Sequence, residues 1–168
     1  MSGSPPGKAS RSAGEEYRAK TEHEASLLAR RARGPRGPAP PGDPASGIVV
    51  VLHEARPALL DALGRSLESV GLPDAYVTAS PADLLLAELL SCEPAALVAV
   101  GPEAARRVDG LGYPLVLSPF SEAPEGAWFP WTRGTSGLLL PSLAEALEDD
   151  EAKRAFWRAF LALRGLRP

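Results

Sequence analysis

The run Ile48-Val49-Val50-Val51-Leu52 restricts the fold more than any other segment of the chain. Five consecutive apolar residues, four of them β-branched, leave no polar face, so a strand built from them is covered on both sides, as in a parallel sheet flanked by helices. The residues that follow agree with this. Pro57–Val70 opens on proline, spaces Leu59, Leu60, Leu63, Leu67 and Val70 at helical intervals, and stops at Gly71. Ala75–Thr78 reads as a short strand. Ser80 is expected to cap a helix with Pro81 at its first position, running on to Pro94. Ala95–Val100 is another buried strand, which Gly101-Pro102 turns into a short helix over Glu103–Val108. Tyr113–Leu117 reads as a fourth strand, Leu138–Leu140 as a fifth, and Ser142–Leu147 and Asp150–Arg164 as closing helices. Each parallel crossover must lay a helix on a sheet face. The alternation therefore specifies a three-layer α/β/α sandwich with a mostly parallel sheet of four or five strands.

Residues 48–168 read as one domain, large enough to bury a single core. Residues 1–47 read as a basic, Pro/Gly-rich tail. Its stretches 1–14 and 34–47 offer almost nothing to bury and are expected to be disordered, whereas Glu15–Arg33 is rich in helix formers and reads as a helix, marginal in isolation. Charge divides along the same line. The tail holds 8 Lys/Arg against 5 Asp/Glu, a net of +3, and residues 48–168 hold 10 against 16, a net of −6. An acidic domain argues against a broad duplex-binding surface while leaving room for a local basic patch. A lone cysteine, Cys92, excludes an intramolecular disulfide and a thiolate-ligated cluster, and it reads as a small core residue rather than a reactive thiol. Neither metal nor other cofactor is expected. No apolar run approaches the ~20 residues that span a bilayer, so no membrane association is expected and the cytoplasm is the expected location.

The last third of the chain carries a family pattern. Gly137–Ser142 is an apolar strand ending in Leu140-Pro141-Ser142; the acidic turn Glu148–Glu151 follows, then Lys153, Arg154 and Trp157. This resembles the C-terminal signature of the uracil-DNA glycosylase superfamily, in which a strand ends in His-Pro-Ser and a helix follows with a Lys/Arg-x-x-x-Trp pattern. Leu140 stands where that family has its histidine. Upstream, Pro94, the strand to Val100, Gly101, Ala104 and Ala105 are similar to a second family stretch. At the first strand the iron–sulfur branch carries Gly-Glu-Ala-Pro-Gly, and His53-Glu54-Ala55-Arg56-Pro57 keeps only Glu54 and Ala55. The stacking aromatic after it, the base-reading asparagine (here Thr78-Ala79-Ser80) and the cluster cysteines are missing.

The resemblance implies a glycosylase-like fold, with Ser80, Leu140 and Ser142 at base-pocket positions, and DNA (single-stranded or damaged) or a repair protein as partner. Base excision needs an extruded base held by stacking and edge hydrogen bonds, a positioned water, and a donor to the departing base. Most of these parts are absent, so the expectation is a degenerate, non-catalytic member. Two alternatives remain open: an active N-glycosylase with rearranged residues, and a protein-interaction module.

Glu54 and His53 are the catalytic candidates. They sit at the carboxyl end of the first strand, where α/β sheets place ligands, although a glutamate beside Arg56 equally forms a solvated ion pair. The segment Ala127–Gly134 concentrates Trp128, Trp131 and Arg133, which suit single-strand stacking or, alternatively, a loop that completes the core. In the final helix Ala152, Ala155, Phe156, Ala159, Phe160 and Leu163 form the core stripe, leaving Arg154 and Arg158 together on another face as further nucleic-acid contact candidates.

Overall fold

The computed structural model describes residues 42–166. The expected tail over 1–41, including the helix at 15–33, lies outside the described residues. Residues 42–47, placed in the tail by composition, are held to the sheet: the Asp43 amide donates to the Asp74 carbonyl at 2.8 Å, and Ser46 bonds both the amide and the carbonyl of Ile48.

The strands are β1 (Ile48–Val51), β2 (Tyr76–Thr78), β3 (Ala96–Val100), β4 (Trp128–Pro130) and β5 (Ser136–Leu140). The helices are α1 (Pro57–Ser69), α2 (Ala82–Cys92), α3 (Pro102–Asp109), α4 (Leu143–Glu148) and α5 (Asp150–Phe160). The five strands form one sheet in the order β2-β1-β3-β5-β4, parallel throughout except for β4, which pairs antiparallel with β5 at the edge.

Side-chain alternation along the strands divides the core in two. Ile48, Val50, Val98, Val100, Leu138 and Leu140 point to the face covered by α1, α4 and α5. Val49, Val51, Leu97, Ala99 and Leu139 point to the face covered by α2 and α3. This accounts for the unbroken apolar run at β1, since neither face is left to water. From β1 the chain moves outward to β2 through α1, then returns across β1 to β3 through α2 on the other face. Reversing direction and changing face together keeps the crossover hand constant.

Three sequence expectations are corrected. Tyr113–Leu117 is not a strand: Pro114 lacks an amide to donate, Leu115 takes a left-handed φ of 60°, and the segment lies outside the sheet with Leu115 87% exposed. The remaining strand is instead Trp128–Pro130, whose proline sits on the sheet edge, where no ladder donor is needed. Ser80 does not cap α2. Pro81 occupies the cap position, and the Ser80 hydroxyl turns inward to Thr78 Oγ1 at 3.0 Å. The third correction concerns the last helix: α5 ends at Phe160 and tightens into a 3-10 turn over Leu161–Leu163, and Ala155, expected in its core stripe, is exposed.

The long connection from α3 to β4 is pinned by Asp109, whose two carboxylate oxygens accept from the amides of Phe120 and Ser121 at 2.7 and 3.0 Å. This seats Phe120 in the core, edge-on to Phe129 with ring centroids 4.9 Å apart. Gly137 makes room for the pair, since a Cβ there would lie 2.5 Å from the Phe129 ring.

Candidate functional site

Strand order places the reversal of chain direction between β1 and β3, and open α/β sheets bind ligands outside the carboxyl ends of the strands at such a point. An open cleft of about 360 Å³ lies there, walled by His53 and Glu54 after β1, Gly101 and Glu103 at the start of α3, and Ser142 and Glu145 at the start of α4. Gly101 draws the walls together. It turns at φ 89°, its amide donates to the Leu140 carbonyl at 2.9 Å, and a Cβ on it would meet the Ser142 Cα at 3.4 Å. A residue with a side chain would be strained at this positive φ, although its Cβ would make only ordinary contact with the β5–α4 turn.

The charged groups of the cleft are paired. His53 Nε2 lies 2.9 Å from Glu103 Oε2, with Arg107 Nη2 3.5 Å from His53 Nδ1. Neutral His53 fits both neighbours, donating from Nε2 to the carboxylate and accepting at Nδ1 from the guanidinium. Arg107 also donates to the Ser80 carbonyl at 3.3 Å, tying α3 to the end of β2. Arg56 Nε lies 2.7 Å from Glu54 Oε1. All four partners of the His53–Glu103 hydrogen bond and the Arg56–Glu54 ion pair are about half exposed, so each contact contributes little to stability. Their consequence is for chemistry: the catalytic candidates Glu54 and His53 are each already held by a neighbour.

Of the three base-pocket positions only Ser142 reaches the cleft wall, and its hydroxyl accepts from the Glu145 amide at 3.3 Å as the cap of α4. Leu140 is 0% exposed and points into the core beneath α4. Ser80 is buried behind the cleft in a polar network: Thr78 Oγ1 meets Ser80 Oγ at 3.0 Å and donates to Glu88 Oε1 at 3.1 Å, while the Tyr76 hydroxyl donates to Glu88 Oε2 at 2.7 Å. Glu88 is 1% exposed, a buried carboxylate whose two oxygens are each satisfied. The sequence carried a signal for it, since Glu88 falls on the apolar stripe of α2 between Leu85 and Leu89. Glu103, Arg107 and Glu145 carried none, because their meeting depends on strand order.

The nucleic-acid candidates are scattered. Trp131 is 1% exposed, packed against Tyr113 at a centroid distance of 4.5 Å, and its ring cannot meet a base without opening the core. Trp128 is half-buried, with Nε1 donating to the Ala162 carbonyl at 3.0 Å. Arg133 lines a separate groove of about 940 Å³ at the amino ends of β3 and β5, together with Leu115 and Leu117. Arg154 and Arg158 are exposed on α5. Cys92 is buried beside Glu88, and its thiol is pushed up to about 12, chiefly by burial and further by the charges of Glu88 and Asp43; this is a core thiol, not a nucleophile. Among the described residues no group of His, Cys, Asp or Glu is arranged to hold a metal ion, and no helix is long and apolar enough to cross a membrane.

No protein-family model matches the sequence, and no curated protein matches it.

Proposed function

We propose that the chain is a non-catalytic domain of the uracil-DNA-glycosylase kind that binds nucleic acid without excising a base. The observation that carries the reading is Leu140. At the position where the resemblance requires a side chain that donates to the departing base, an apolar group is wholly buried under α4 and turned away from the cleft. The remaining groups support it. Glu54 and His53 are engaged by Arg56 and Glu103, Ser142 caps a helix, and Ser80 is withdrawn into the Glu88 network. Excision needs a stack, an edge reader, a water and a donor acting together, and a cleft lined by Glu54, Glu103 and Glu145 repels the phosphates that would carry a flipped base into it.

The test pairs two measurements on the full chain: uracil release from single- and double-stranded DNA, and binding to the same oligonucleotides over a range of salt. The expected result is salt-dependent binding with no release. Release would overturn the reading in favour of an N-glycosylase with rearranged residues. The exposed Leu115, Val116 and Leu117 favour a second reading, a protein-interaction module, which stands if no oligonucleotide binds.

A further inference from the structure

The outer face of α5 concentrates features that the cleft lacks. Trp157 is 40% exposed although it is among the largest apolar side chains in the chain, and one face of its indole is stacked on Phe160 at 5.7 Å with an interplanar angle of 18°. Phe160 is itself stacked on Phe156 at 5.6 Å. The indole is therefore braced from the core side, so little rotamer freedom remains to be lost when something packs on its open side.

Around it stand cations. Lys153 and Arg154 precede Trp157 by four and three residues, placing them one turn away on the same side of the helix; Arg158 follows directly, one turn from Arg154, and Arg164 lies just past the 3-10 turn. All four are exposed, and none forms an ion pair among the described residues. Helix-dipole complementarity accounts for a cation in the last turn but not for an exposed tryptophan among four. Asp150 and Glu151 occupy the first turn of α5, and beyond them the cations prevail, a local reversal of sign in a domain of net −6.

We propose that this face of α5 is a docking surface for single-stranded nucleic acid, with a base stacked on the open side of Trp157 and the phosphates tracked by Lys153, Arg154, Arg158 and Arg164. The assignment rests on the nucleic-acid-binding reading above and gives it a location away from the cleft. Charge complementarity selects a polyanion. The flat, braced indole selects a polyanion that presents a π face at each unit, which a single strand does and an acidic polypeptide does not. A duplex is disfavoured because its bases are already stacked on one another.

The experiment uses the full chain, a fluorescent oligothymidylate, the same oligonucleotide made abasic, and polyglutamate. Oligothymidylate should bind, and Trp157→Ala should weaken it roughly ten- to one-hundredfold, the effect of losing one stacked base. The abasic strand should bind more weakly and be nearly indifferent to Trp157→Ala. Arg154→Glu with Arg158→Glu should weaken both strands and lower the slope of log affinity against log salt by about 1.4, since each phosphate left unneutralised removes about 0.7. The arginine variant should melt like the parent because its changed side chains are exposed, and Trp157→Ala should still unfold in one transition, since it loses only the stack on Phe160. Oligothymidylate binding unchanged in both variants would overturn the α5 assignment while leaving the binder reading intact, and binding to no nucleic acid would overturn both. Polyglutamate binding as tightly as oligothymidylate, with equal sensitivity to Trp157→Ala, would overturn the nucleic-acid assignment in favour of an acidic protein.

Discussion

Tyr76→Phe removes a single oxygen from the interior and tests whether Glu88 is held as a charged, hydrogen-bonded group. The Tyr76 hydroxyl donates to Glu88 Oε2 at 2.7 Å, and both residues are 1% exposed. A hydrogen bond to a buried charged group is worth about 1.5–3 kcal/mol, and removing it leaves a carboxylate oxygen short of a donor in a place water does not reach. The expected destabilisation is about 2 kcal/mol, or roughly an 8 °C fall in Tm at about 4 °C per kcal/mol for a domain of this size. Glu88→Leu should cost more, because the hydroxyls of Tyr76 and Thr78 are then both without their acceptor. The double variant Tyr76→Phe with Glu88→Leu should be less destabilised than the two single changes added together, since the orphaned tyrosine oxygen is gone. Urea unfolding supplies the numbers. Tyr76→Phe within about 0.5 kcal/mol of the parent, or strict additivity of the pair, would refute the network.

Trp131→Ala should cost about 3–5 kcal/mol, as is usual for a buried tryptophan, whereas Trp157→Ala, which loses a ring stack worth about 0.5–1.5 kcal/mol, should cost clearly less; equal effects would contradict the core assignment of Trp131. Cys92 titrates in the folded state near 12 against 9.0 for an unperturbed thiol. The folded protein thus holds a proton that the unfolded chain gives up, and the stability present below pH 9 should fall by up to about 1.4 kcal/mol per pH unit above it. Cys92→Ala should flatten that decline, as read from unfolding at pH 9 to 11. Leu115→Asn should stabilise by about 0.5–1 kcal/mol, because asparagine tolerates a left-handed φ and the leucine contributes no burial.

The doubly covered strands were legible because residues such as Val49 and Val50 must each find apolar neighbours on opposite faces, a requirement written in the local sequence. The edge of the sheet was not. Leu115, Val116 and Leu117 look like a strand by propensity, but Pro114 and the left-handed Leu115 keep the segment out of the ladder. Trp128-Phe129-Pro130 looks like a loop, yet it pairs because β5 offers an open edge and Gly137 leaves space for Phe129. In the cleft, His53 and Glu54 were legible from their place after a strand, and Ser142, named from the resemblance, does reach the cleft wall. Ser80 and Leu140 were named from the resemblance, and they lie behind the cleft because the local turn bonds Ser80 to Thr78 and the strand register turns Leu140 inward. Glu103 and Glu145 reach the same cleft only because β3 and β5 are neighbours, a fact no local pattern encodes.

The most direct test of the proposed absence of base excision is uracil release measured with the full chain in excess over a uracil-containing single strand, so that even one slow turnover is seen. No release above the spontaneous rate is expected, and none after Leu140→His, whose imidazole would enter a closed apolar site rather than the cleft. Release by the unmodified chain that disappears in Glu54→Gln would contradict the non-catalytic assignment.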